Sequence, residues 1–232
     1  MIPGLALYAC GLMLSRLVYL PNDGPLPVTK NAALLTAQLL VLFLVYPFHL
    51  AVWLSAAVLI MVALLAHYFE TAGRIRRGSR ILTLVAQLLI PAGLFWSLGA
   101  DARAWTLNVP ETIVAASLGI LVLANEVNYL IRLLFVWCNL EPKMSASACD
   151  SSPPPVDEEE YKAGRVIGML ERALIFLIIF FVNDFAAVGF ILAAKGLIRI
   201  QQTKDRQFSE YMLIGTLAST IFSVVVALVL QE

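Results

Sequence analysis

The stretch NAALLTAQLLVLFLVYPFHLAVWLSAAVLIMVALLA, residues 31–66, contains no Asp, Glu, Lys or Arg. A helix needs about 20 apolar residues to cross the hydrocarbon core of a bilayer. The run is long enough for two crossings placed back to back, with Tyr46-Pro47-Phe48-His49 as the hinge. No water-soluble domain of this size needs an uncharged run of that length. The stretch predicts an integral membrane protein.

Further apolar windows lie on both sides of it. Ile2 to Leu20 precedes it, and the Leu7-Tyr8-Ala9-Cys10 segment within that window only loosely resembles a lipoprotein box, with no basic residue before it. Ile81 to Leu98, Thr112 to Trp137, Val166 to Val182, Phe185 to Ile200 and Tyr211 to Leu230 follow. The Val166 and Phe185 windows are separated only by Asn183-Asp184. The expected fold is all-α: a polytopic membrane helix bundle of about eight transmembrane helices.

Composition agrees. The chain is 60% hydrophobic and 14% charged, with a mean hydropathy of +0.85, whereas soluble domains are about a quarter charged. Net charge is zero, which gives a nucleic-acid partner no electrostatic support. Cys10, Cys138 and Cys149 form no C-x-x-C pair, so neither a disulfide framework nor a zinc site is indicated.

The basic residues set the orientation. Cytoplasmic loops carry the excess of Lys and Arg, and Arg74, Arg76, Arg77 and Arg80 crowd one short loop. Alternation from that loop places Arg16, Lys30, Lys143, Lys162, Arg165, Arg199, Lys204 and Arg206 inside and leaves only Arg103 outside. Both termini are then on the outer side. The chain divides into an N-terminal bundle of five spans (1–138), a cytoplasmic loop (139–163) and a C-terminal segment of three spans (164–232). The loop carries Ser151-Ser-Pro-Pro-Pro and Asp157-Glu-Glu-Glu. Its prolines and like charges predict a flexible linker.

Ionisable groups inside a span are costly, about 2.5–3.5 kcal/mol each on the insertion scale, and therefore mark candidate sites. The first set is Asn125, Glu126, Asn128 and Arg132. Asn125, Asn128 and Arg132 share a helical face by their spacing of three and four, and Glu126 lies beside them. This set reads as an ion or polar-substrate site, or as hydrogen-bonding glue between helices. The second is Arg165, Glu171 and Arg172, with Gly164 and Gly168 on the same turns, where small residues predict close helix approach. The third is Lys195 and Arg199. Counted from the membrane boundary, Lys195 reaches the depth of Glu171, which predicts an ion pair between them. Arg165, Arg172, Lys195 and Arg199 together suggest a basic pocket inside the cytoplasmic leaflet, suited to anionic lipid head groups. Gly215, Ser219, Ser223 and Ala227 recur every four residues. Such a stripe favours close packing within the protomer or between protomers, as in a homo-oligomer or a membrane complex.

The blocks GRVIGMLER (164–172), GFILAAKGLIR (189–199) and EYMLIGTLAS (210–219) resemble the end of a family of uncharacterised bacterial multipass membrane proteins, known only as a domain of unknown function. The resemblance runs from about Gly164 to Ser219. It implies a bacterial inner membrane and brings no activity. It places Arg165, Glu171, Arg172, Lys195, Arg199 and Glu210 within the matched blocks.

Enzyme signatures are lacking. His67 and Glu70 can share a face, but two ligands do not make a metal site. H-E-x-x-H, G-x-S-x-G and phosphate-loop patterns do not occur. No cofactor or metal is expected. The reading the sequence favours is a membrane protein that binds or conducts a small charged species through a buried polar cluster. A membrane enzyme or carrier for a lipid-linked phosphate, and a non-catalytic scaffold, are the alternatives.

Overall fold

The computed structural model describes residues 3–19, 27–46, 50–71, 79–97, 110–138, 158–202 and 206–231. The described residues are helical throughout, with no strand. The helices are α1 (Pro3–Ser15), continued by a 3₁₀ turn (Arg16–Tyr19), α2 (Val28–Val45), α3 (Leu50–Thr71), α4 (Ser79–Ser97), α5 (Glu111–Trp137), α6 (Glu158–Leu177), continued by a π turn (Ile178–Val182), α7 (Phe185–Gln202) and α8 (Arg206–Gln231). Each apolar window of the sequence is occupied by one helix.

Two of these helices are long and apolar enough to cross a membrane: α5 in full and the Leu213–Gln231 part of α8. The other apolar stretches of described residues are shorter, such as Thr29–Val45 and Val52–Leu65. Among the described residues two helices thus meet the length and composition of a crossing, where the sequence leads one to expect about eight. Only 17% of the apolar α8 window is buried, which separates it from the core helix of a soluble protein.

Packing divides the chain into two compact units, Met1–Leu121 and Val122–Glu232. The division falls inside α5, so the second half of that helix belongs with α6, α7 and α8.

In the first unit α1 packs on α2, α2 on α3 and α3 on α4. Tyr8, Leu12, Leu42, Val52 and Leu59 are buried there. The contact of α1 with α2 is tight at Gly11, where an added β-carbon would lie 2.5 Å from Val41 Cγ1. Pro91 sits inside α4. It has no N–H to give to the carbonyl one turn earlier, which belongs to Gln87. The Tyr8 hydroxyl of α1 donates to that carbonyl at 3.2 Å, so a second helix replaces the missing bond. Cys10 Sγ donates to the Val114 carbonyl at 3.4 Å and ties α1 to the start of α5.

In the second unit α6 packs on α8. The Asn183-Asp184 break is built from local hydrogen bonds. Asn183 adopts the left-handed conformation (φ 56°) and its N–H donates to the carbonyls of Ile178 and Ile179. Asparagine tolerates that region better than most residues. Asp184 Oδ1 accepts from the N–H groups of Ala186 and Ala187 at 2.9 and 3.2 Å and so caps α7. Gln231 Nε2 donates to the Ile179 and Phe180 carbonyls and serves the π turn, whose widened register disrupts the regular ladder.

The structure corrects two local expectations. Residues 158–163, assigned to the flexible linker, form the first turns of α6. Acidic residues at a helix start complement the positive end of its dipole, and here that outweighs their mutual repulsion. Residues 139–157 lie outside the described ones. The second correction concerns Gly164 and Gly168. Among the described residues no atom lies within 4 Å of a β-carbon added at Gly164, and Gly168 meets only Arg172 Nη1 of its own helix, at 3.7 Å. Among the described residues neither glycine carries a close helix contact, and the packed part of this α6 face begins further along, at the buried Ile175 and Ile179.

Candidate functional site

The candidate site grows from two adjacent residues of α6. Neighbours on a helix point about 100° apart, so Glu171 and Arg172 turn to different partners. Glu171 pairs with Lys195 of α7: Lys195 Nζ donates to Glu171 Oε2, and the two side chains are 26% and 18% exposed. The ion pair expected from depth counting is present.

Arg172 is 4% exposed. Its Nε donates to the Leu123 carbonyl of α5 at 3.1 Å, and its Nη1 lies 3.5 Å from Ser219 Oγ of α8, at the long limit for a hydrogen bond. Its Nη2 is buried with no hydrogen-bond partner. Leu123 lies near the middle of α5 and Ser219 near the middle of α8. The guanidinium therefore stands at mid-height in the unit, held by two neutral oxygens. Of the four residues of the expected basic pocket, Lys195 and Arg172 are described, and they hydrogen-bond to different partners. The side chains of Arg165, Arg199 and Glu210 lie outside the described ones, as do those of His67 and Glu70.

Asn125 and Glu126 are buried at 2% and 4% exposure, and Asn125 Nδ2 donates to Glu126 Oε1 at 3.0 Å. Asn128 and Arg132 are half-buried. The small-residue stripe of α8 is used inside the unit. A β-carbon at Gly215 would lie 2.9 Å from Phe135 Cζ of α5. Ser219 faces Arg172, Ser223 Oγ donates to the Ser219 carbonyl at 2.9 Å, and Ser223 and Ala227 are fully buried. Among the described residues no three of His, Cys, Asp and Glu converge to hold a metal ion.

A second polar set, in the first unit, was not among the sequence candidates. Arg16 is 1% exposed. Its Nη1 donates to Gln87 Oε1 of α4 at 3.2 Å, and its Nη2 donates to the Arg80 carbonyl at 3.0 Å. Gln87 Nε2 donates in turn to Gln38 Oε1 of α2 at 2.7 Å. The Tyr19 ring lies under both guanidinium groups, 5.3 Å from Arg16 and 4.5 Å from Arg80. An arginine only donates, so it fixes the orientation of each amide along the chain. Gln38 Nε2, the last donor, is buried without a partner. The available signal was Gln38 and Gln87 standing alone in otherwise apolar windows, with Arg16 at the end of a third.

No family model, curated protein or solved structure matches this chain. What fold and site define is an all-helical protein with two membrane-capable helices and a buried arginine in each packed unit.

Proposed function

We propose that this is a multipass membrane protein that binds a small anion at Arg172. The observation that carries the reading is the buried guanidinium with Nη2 unmatched and no carboxylate among its hydrogen-bond partners. Burying a cation with no carboxylate hydrogen-bonded to it is costly, and an ionisable residue within a membrane segment is by default a candidate functional site. An anion supplies both the missing charge and the missing acceptors, in the planar fork geometry that arginine favours. The mid-height position supports a small species held within the bundle over a lipid head group at the surface.

The membrane setting rests on the surface of the chain. Leu14, Leu40, Leu44, Leu64, Leu89, Phe190 and Val229 are all exposed, and a lipid phase is the solvent that suits them. Eight spans with outer termini, a bacterial inner membrane and kinship with the uncharacterised multipass family complete the proposal. The helix boundaries and the loop charges support it.

The test is anion flux into proteoliposomes made with the full chain, together with anion binding in detergent-free discs. Arg172→Gln is expected to abolish both. Glu171→Gln with Lys195→Met, which removes a pair that already sums to zero, is expected to leave binding in place. Undiminished binding by a folded Arg172→Gln protein would refute the assignment.

A further inference from the structure

We infer that the species bound at Arg172 is a monovalent anion, and that it reaches the guanidinium along the open glycine face of α6. The inference rests on the reading of Arg172 as an anion site and adds the valence and the route.

The valence follows from a count of the buried charge. Glu171, beside the guanidinium, is neutralised by Lys195, and on α5 the buried Glu126 and the half-buried Arg132 are one acid and one base, so the formal charge of this part of the unit exceeds zero by the one at Arg172. Its other contacts, the Leu123 carbonyl and the Ser219 hydroxyl, bear no net charge. One negative charge closes the account. A dianion would replace a buried excess of +1 with one of −1, and low-dielectric surroundings penalise either sign. The free Nη2 and the weakly engaged Nη1 form one edge of the guanidinium. That edge fits the two oxygens of a planar oxyanion such as nitrate or a carboxylate.

The route follows from the glycines. Gly164, Gly168 and Arg172 succeed one another at intervals of four, so they lie along one strip of the helix. The β-carbon position at Gly164 has open space around it among the described residues, and the one at Gly168 meets only Arg172 Nη1. Side chains on a helix lean toward its N-terminus, and the arginine follows this rule by reaching back one turn to Gly168. The guanidinium thus closes the inner end of a bare strip whose outer end, Gly164, is exposed. From Gly164 to the guanidinium at Gly168 the strip is about 6 Å long, at a rise of about 1.5 Å per residue. Further along the same face Ile175 and Ile179 are buried, so the strip ends at the arginine.

The experiment uses the full chain in phosphatidylcholine discs, titrated with sodium nitrate or sodium sulfate in low-salt zwitterionic buffer. Affinity is read from the unfolding midpoint and exchange from the line width of 15N-nitrate. Nitrate is expected to raise the midpoint saturably, with sulfate at least tenfold weaker. Arg172→Gln abolishes the response, and Arg172→Lys, which keeps the charge and loses the fork, weakens it. Gly164→Leu, one turn beyond the Gly168 that the guanidinium reaches, is expected to slow nitrate exchange at least tenfold with the affinity unchanged. Sulfate binding as tight as nitrate, still dependent on Arg172, overturns the valence and leaves the anion site standing. Unaltered exchange in Gly164→Leu overturns the route. No response to either anion in the unsubstituted chain overturns the anion site itself.

Discussion

Each unit buries an arginine, and the two are handled differently. In the first unit Arg16 donates to Gln87 and to the Arg80 carbonyl, and Gln87 passes a hydrogen bond on to Gln38. The open end of that network is a neutral amide N–H on Gln38. In the second unit the open end is on the guanidinium of Arg172 itself. An unmatched neutral donor costs about 1–3 kcal/mol, and a charged one more. The first arrangement ties α1, α2 and α4 together around Gln87, beside the Tyr8 bond that mends the Pro91 gap. The second leaves a donor of the cation itself without a hydrogen-bond partner. An amide chain moves the unmet hydrogen bond to a neutral group, whereas Arg172 keeps it on the cation, which is why the proposed anion is placed there.

Steric substitutions should expose the largest effects. Gly11→Leu meets Val41 at 2.5 Å in the first unit, and Gly215→Leu meets Phe135 at 2.9 Å in the second. Overpacking of this kind costs about 1–3 kcal/mol, and more where the contact is closest. Gly11→Leu is expected to be the worse of the two in thermal unfolding, and Gly164→Leu, with open space around it, to be nearly neutral. Equal effects at all three positions would mean that the glycine contacts do not distinguish the units.

The ion pair comes next. In a double-mutant cycle, Glu171→Gln and Lys195→Met are each expected to destabilise more than the double substitution, with a coupling of about 2 kcal/mol. Strict additivity would show that the two charges act independently, and would remove the neutral pair from the charge count at Arg172.

The smallest effect is expected at Tyr8. Tyr8→Phe strips the Gln87 carbonyl of its donor opposite Pro91, at about 1 kcal/mol. Restoring the helix bond with Pro91→Ala in the same chain should recover most of the loss. A Tyr8→Phe loss unchanged by Pro91→Ala would separate the hydroxyl from the proline gap.

Much of the helical plan was legible before any coordinates. The hydrophobic windows from Ile2 to Leu230 each hold a helix, and Asn183-Asp184 does break α6 from α7. Residue spacing along the two late helices also foretold the Glu171–Lys195 pair. Less legible was which neighbour each polar side chain would meet. Spacing groups Arg172 with Lys195, yet they face different helices, because one residue of offset rotates a side chain by about 100°. Gly164 and Gly168 carry the spacing of a packing motif, yet among the described residues neither meets another helix, because a smooth helix face is used only where a partner covers it. The network of Arg16, Gln38 and Gln87 draws on three separate windows, and periodicity within one window carries no information about the other two.

The amino-acid sequence by itself determined where helices form, that the surface is oily and that several charges lie within apolar segments. These are properties of local composition and of a 3.6-residue period. Tertiary structure alone decided that Gly215 and not Gly168 is the tight contact, that Tyr8 completes α4, and that Arg172 is the buried cation left with a free donor. Each of these depends on which helix lies opposite, and that is settled only when all the faces compete to be covered at once.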